Sequence, residues 1–76
     1  SEALEISKDS IQPGDKVLIV DDLLATGGSA KALAQIVELS KAEVAGVLFY
    51  VELTPLKGRE ELNKYKVLSI VPIEAY

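Results

Sequence analysis

Residues 17–29, VLIVDDLLATGGS, leave this chain few ways to fold. Residues 17–20 are apolar without alternation, the pattern of a strand buried on both faces of a parallel sheet. Asp21 and Asp22 then fall at its carboxyl end, where open α/β sheets bind ligands. Gly27 and Gly28 permit positive φ and close backbone approach, so the N–H groups of Ala25, Thr26, Gly27, Gly28 and Ser29 can turn inward as a nest for an anion. The amphipathic segment that follows points a helix N-terminus at the same spot and adds free amides. Thr26 and Ser29 contribute hydroxyls. The stretch reads as strand, acidic rim, phosphate cradle and helix. The two acids would repel a second phosphate unless a metal intervened, and they suit sugar hydroxyls better. Taken only as structure, the same residues make a common Gly-Gly turn with a solvated acidic rim and an N-cap.

The flanking chain supports an α/β reading. Leu4 and Ile6 alternate with Glu5, a short half-buried strand pattern. Gln12-Pro13-Gly14-Asp15 places Pro and Gly at the central positions of a type II turn. After the main strand, Ala30, Leu33, Ile36 and Val37 recur at helical spacing, with Lys31, Gln35, Glu38 and Lys41 on the other face. That helix is expected to pack one stripe on the sheet and to finish near Lys41-Ala42. Residues 44–53, VAGVLFYVEL, give a second interior strand. Thr54-Pro55 reads as an N-cap and first helical residue, opening a short helix that continues through Asn63 despite Gly58. Residues 66–71 form the last strand, which Pro72 is expected to end. Strand, helix, strand, helix, strand implies right-handed crossovers and a parallel sheet with flanking helices.

The chemistry open to such a chain is narrowed by what it lacks. Its 76 residues contain neither Cys nor His, which removes thiol chemistry, imidazole catalysis and the usual zinc sites, so any metal would be a hard ion held by oxygen. Eight basic and 12 acidic residues leave a net charge of −4, which argues against a nucleic-acid or anionic-membrane surface but not against one phosphate held by backbone amides. No run approaches the roughly 20 apolar residues of a membrane span, and no basic-then-apolar leader opens the chain, so a cytoplasmic location is expected. A domain this small buries only about 60% of its unfolded surface, so it is marginal without help.

Outside the cradle, Phe49, Tyr50 and Tyr65 read as core and rim residues and not as base-stacking platforms. Lys57-Gly58-Arg59 could clamp a phosphate, although a basic pair followed by Glu60 and Glu61 is more often a solvated, salt-bridged helix start. Glu52, at the end of an apolar strand, is the better candidate for a buried acid with a role, catalytic or structural.

Residues 17–29 together resemble the phosphoribosyl pyrophosphate (PRPP) motif of the type I phosphoribosyltransferases. Residues 51–60, VELTPLKGRE, are similar to the corresponding segment of the adenine-specific family, and the likeness runs from Ala3 through Pro72. The resemblance covers the whole chain but only the C-terminal half of that family's fold. It implies a purine-salvage transferase that converts adenine and PRPP to AMP and pyrophosphate, with magnesium on the pyrophosphate and no metal-ligating residue in this chain. It implies catalytic and PRPP-binding roles for Asp21 and Asp22 on the ribose hydroxyls, and 5′-phosphate binding by Ala25, Thr26, Gly27, Gly28 and Ser29. Ser29 replaces the threonine usual there and keeps the hydroxyl. The adenine-recognising hood, the pyrophosphate loop and the catalytic-loop acid of the family would lie before Ser1. The chain alone is therefore expected to be inactive, with a companion N-terminal polypeptide completing it and the completed subunit forming a homodimer. In the family's strand order, residues 17–20, 44–53 and 66–71 would lie side by side. Residues 3–6 would be separated from 17–20 by two strands that this chain does not contain.

Two other functions compete. A PRPP-sensing, non-catalytic module of the same fold would keep the cradle but bring an extra recognition domain. A receiver-type signalling domain also begins VLIVDD, yet it needs a phosphoacceptor Asp on a later strand, and no Asp follows Asp22.

Overall fold

The computed structural model describes residues 11–74. They form strand β1 (Lys16–Leu24), helix α1 (Gly28–Leu39), strand β2 (Glu43–Leu53), two 3-10 helices (Thr54–Leu56 and Gly58–Leu62) and strand β3 (Val67–Ile73). The sheet is parallel throughout and ordered β1-β2-β3, the side-by-side arrangement expected from the sequence. The segment 3–6, expected to be a further strand, lies outside the described residues.

The entry turn forms as its chemistry dictates. Pro13 sets φ for the first central position, Gly14 takes φ 87° at the second, and the Asp15 amide donates to the Gln12 carbonyl at 3.1 Å. In return the Gln12 amide donates to the Asp15 carboxylate at 2.8 Å. β1 then pairs with β2 from Lys16↔Glu43 onward, with a register shift where Leu18 faces Gly46, so that β2 carries one extra residue.

α1 lies on one face of this sheet. Ala30, Ala34 and Val37 are its buried residues, and Ala30 and Ala34 join Ile19, Leu24, Val47, Phe49 and Leu62 in the core, with Leu33 packed against it. The expected stripe is therefore shifted by part of a turn: Ile36 is largely exposed, and Ala34, too small to stand out in a hydropathy pattern, takes the central place. The helix also ends earlier than expected. Ser40 is its C-cap and Lys41 turns the chain at φ 62°, before Ala42 and β2.

Four further expectations change. β1 is not buried on both faces: Ile19 is sealed under α1 while Leu18 is 57% exposed and Val20 44%, because no described element covers the opposite side of the sheet. Leu48, half-buried, and Leu68 stand level with Val20 in the register, and Leu68, Tyr50 and Ile70 extend that bare apolar face. The segment after β2 is not one helix, since Lys57 at φ 55° separates the two 3-10 pieces. Thr54 does not cap; its hydroxyl donates to the Ile73 carbonyl at 3.3 Å, which ties the end of β2 to the end of β3. Pro72 does not end β3, which runs to Ile73 with Pro72 opposite Glu52. β3 is an outer strand of the described sheet, where a missing N–H is tolerated.

Candidate phosphoribosyl cleft

β1 extends four residues beyond the apolar run and carries Asp21 and Asp22 within its last turns of pleat. Asp21 lies opposite Phe49 of β2 and is partly buried, while Asp22 is exposed. The Asp22 amide donates to Asp21 Oδ1 at 2.8 Å, which fixes the Asp21 carboxylate against the strand backbone.

The chain then turns through Ala25 and Thr26 into Gly27, whose φ of 90° and ψ of −5° lie in the left-handed region. Gly27 is also the N-cap of α1, and the Lys31 amide closes the first helical turn on its carbonyl at 3.0 Å. A side chain at Gly27 is excluded by space as well as by dihedral, since a Cβ would stand 2.5 Å from the Gly58 carbonyl oxygen. Gly28 differs. It is the first helical residue, without positive φ, and a Cβ there would meet only Thr26 Oγ1 at 4.0 Å. Of the two glycines expected to need their freedom, one does.

Asp21, Asp22, Ala25, Thr26, Gly27, Gly28 and Ser29 all line one cleft of about 220 Å³, together with Leu23, Leu24, Ala30 and Phe49. The residues expected to hold a phosphate and sugar hydroxyls thus all line this one cleft. No side-chain cap satisfies the N-terminus of α1 and no acidic residue occupies its first turn, so its leading amides face the cleft with the positive end of the helix dipole behind them. The cleft has two electrostatic ends, an amide and hydroxyl end at 25–29 and a carboxylate end at 21–22. That pairing suits a sugar phosphate, with the anion on the amides and ring hydroxyls donating to the carboxylates.

Lys57 and Arg59 do not line the cleft. Arg59 is engaged elsewhere: its Nε donates to both oxygens of Glu52, at 3.1 and 2.9 Å, its Nη1 to the Val67 carbonyl at 2.9 Å and its Nη2 to Ser69 Oγ at 3.4 Å. Ser69 Oγ in turn donates to Glu52 Oε1 at 2.7 Å. Glu52 is 5% exposed, and the hydrogen bond from Arg59 above all holds its carboxyl below the usual glutamate range, against the opposing pull of burial. The buried acid is thus paired within the sheet, and the Arg59 guanidinium is committed to it and not to the cleft. Phe49 is core and cleft floor at once, Tyr65 packs against the core, and Tyr50 stands on the bare sheet face. Sequence reasoning missed Gly58 as the residue whose backbone seats the cradle. Its only signal was a glycine inside an otherwise helical pattern.

No family model matches the chain. It is 59% identical over 70 residues to the adenine phosphoribosyltransferase of Clostridium perfringens, a match that takes in 92% of this chain and 41% of that protein. Among solved structures, the adenine phosphoribosyltransferase of Thermoanaerobacter pseudethanolicus superposes with a TM-score of 0.86 at 44% identity, covering 90% of this chain and 40% of that one. The Saccharomyces cerevisiae enzyme, complexed with an imino-altritol bisphosphate and adenine, gives a TM-score of 0.81 at 44% identity, covering 87% and 37%. With its parallel sheet and a cleft at the strand ends, the chain shares the type I phosphoribosyltransferase fold of these structures. Within that class its sequence falls with the adenine phosphoribosyltransferases, and it spans about two-fifths of the length of the relatives it matches.

Proposed function

We propose that this chain is the phosphoribosyl-binding part of a purine-salvage enzyme that converts adenine and PRPP to AMP and pyrophosphate. The observation that carries the reading is the convergence of Asp21, Asp22 and residues 25–29 on one cleft at the start of α1. The yeast relative's bound adenine and sugar-like bisphosphate are consistent with it.

Each end of the cleft then has work to do. The amides of Ala25, Thr26, Gly27, Gly28 and Ser29, with the two hydroxyls, anchor the 5′-phosphate, and that remote binding energy positions the reacting carbon. Asp21 and Asp22 accept hydrogen bonds from the ribose 2′- and 3′-hydroxyls. As the bond to pyrophosphate breaks, the ribose gains oxocarbenium character, and two fixed carboxylates stabilise that charge more than they stabilise the neutral sugar.

Magnesium enters in this scheme with the pyrophosphate of PRPP, as part of the substrate. The residues here do not fit a resident ion: the cleft offers one adjacent pair of carboxylates, and among the described residues no three metal-ligating side chains come together. Recognition of adenine, binding of pyrophosphate and the catalytic-loop acid are assigned to a companion N-terminal part. That part would also cover the apolar sheet face bearing Leu18, Val20, Tyr50, Leu68 and Ile70 and extend the sheet beyond β1. We place the completed subunit in the cytoplasm as a homodimer. No helix among the described residues is long and apolar enough to cross a membrane.

The test is AMP formation from adenine and PRPP, followed chromatographically, by this chain with and without the companion part. Turnover only in the mixture supports the proposal. No AMP from the mixture, or full turnover by the 76 residues alone, contradicts it.

A further inference from the structure

Glu52 is the buried charge among the described residues, and it lies outside the phosphoribosyl cleft. A carboxylate is costly to bury, and this one is compensated by a single cation whose hydrogen bonds reach back to the sheet: to Glu52 on β2, and to Val67 and Ser69 on β3. Arg59 is thereby held to two strands at once.

The residue before Arg59 is Gly58, and its backbone lies directly on the cradle. A Cβ at Gly27 would reach the Gly58 carbonyl oxygen at 2.5 Å, and a Cβ at Gly58 would overlap the Ala25 carbonyl oxygen and crowd Leu24. Backbone therefore meets backbone here with no side chain between. Two further contacts hold the same junction: Glu61 Cβ stands 3.0 Å from where a Gly27 Cβ would be, and Glu61 accepts from Lys31 of α1 at 3.4 Å. That outer pair is solvent-exposed and weak. The better-anchored member of the junction is Arg59, whose Nε donates to both oxygens of buried Glu52 while Nη1 and Nη2 reach Val67 and Ser69 on β3.

We infer that Glu52 and Arg59 are a positioning pair for the anion cradle, seating Gly58 against Gly27 so that the N–H groups of residues 25–29 stay aimed into the cleft. The inference rests on the reading of that cleft as a phosphate site. Neither residue touches the ligand. Their effect reaches it through the Gly58 backbone, where a displacement of about 1 Å is enough to weaken a geometrically defined site by as much as a hundredfold.

The test uses the full-length protein that carries this chain, with Arg59→Lys, which keeps the charge but loses the fork, and Glu52→Asp, which keeps the pair but shortens its reach. Amide hydrogen exchange is followed at residues 25–30 in the free protein and with PRPP, and KM is measured separately for PRPP and adenine. The expected result, in whichever variant folds, is faster exchange of those amides and a KM for PRPP raised about tenfold or more, with KM for adenine changed less than about twofold. A general loss of stability would move both KM values together and would speed exchange in β2 as well. Unchanged exchange at 25–30 and unchanged KM for PRPP in a folded variant overturn the inference while leaving the cleft reading intact. If PRPP fails to protect these amides even in the parent protein, the cleft reading falls and the inference falls with it.

Discussion

Replacing Gly27 by alanine concentrates the geometric argument in one methyl group. Two costs are readable from the structure. The left-handed dihedrals at φ 90° penalise an L-residue by about 1–2 kcal/mol. The new Cβ would lie 2.5 Å from the Gly58 oxygen and 3.0 Å from Glu61 Cβ, so either the loop or the Gly58–Leu62 helix has to move, and overpacking of that kind costs about 1–3 kcal/mol. Together the substitution should destabilise by about 2–5 kcal/mol, or relieve itself by swinging the loop outward and taking the amides off their target. At roughly 2–4 °C per kcal/mol for a full-length protein about two and a half times as long as this chain, the first route lowers Tm by about 4–20 °C. Gly28→Ala is the matched control, since nothing lies closer than 4.0 Å to its Cβ and the residue is already helical. It should stay within about 1 kcal/mol of the parent. Thermal melts by circular dichroism and AMP titrations on the same full-length preparations read both variants. Gly27→Ala should lose AMP binding and Gly28→Ala should retain its fold. A Gly27→Ala protein with parental Tm and parental AMP affinity would refute the reasoning.

Three further outcomes are expected. Asp22→Asn should lower kcat/KM by about 2–4 kcal/mol equivalent with Tm near the parent's, because the residue is exposed and its charge serves the transition state; a collapsed Tm with intact kinetics per folded molecule would assign Asp22 to structure instead. Phe49→Ala should cost about 3–5 kcal/mol in urea unfolding, since the ring is 1% exposed and forms the cleft floor; a loss below about 1 kcal/mol would contradict the packing described. For Glu52 the sign follows from its lowered folded-state pKa. An unfolded glutamate takes its proton near the ordinary 4.5, so the stabilisation by Arg59 is present above that value and is lost as pH falls below it through the folded-state pKa. Tm should therefore drop more steeply with acidification below about pH 4.5 in the parent than in Glu52→Gln, and parallel curves would remove Glu52 from the account.

The fold was legible wherever local chemistry and tertiary context agree. The Pro13-Gly14 turn, the parallel sense of the strands and the convergence of residues 21–29 follow from turn geometry, apolar runs and the strand-to-helix transition, whereas the side-by-side order of the three strands was implied by the family resemblance. The misses share a cause, which is that they depend on distant partners. Ala34, fully buried, takes the helix centre where α1 packs on the sheet, and Ile36, more hydrophobic, is left 44% exposed at the side. Pro72 stays in its strand because β3 lies at the edge of the described sheet, a fact about neighbours and not about proline. Likewise, the PRPP reading took Gly27 and Gly28 as one motif, but the demand on Gly27 comes from Gly58, thirty-odd positions on. Arg59 does form an ion pair, as a basic residue at a helix start commonly does, but its partners Glu52, Val67 and Ser69 are distant in sequence and could not be named from it.

The central claim is that the amides opening α1 hold the 5′-phosphate. Titrating AMP into the 15N-labelled full-length protein and following backbone amide shifts tests it most directly. The account predicts that the largest phosphate-dependent shifts, present with AMP and absent with adenosine, fall on Ala25, Thr26, Gly27, Gly28 and Ser29. Saturable AMP binding that leaves those five amides unmoved, with its shifts centred instead on the groove of Gln35, Glu38, Lys64 and Tyr65 between α1 and the Gly58–Leu62 helix, would contradict it.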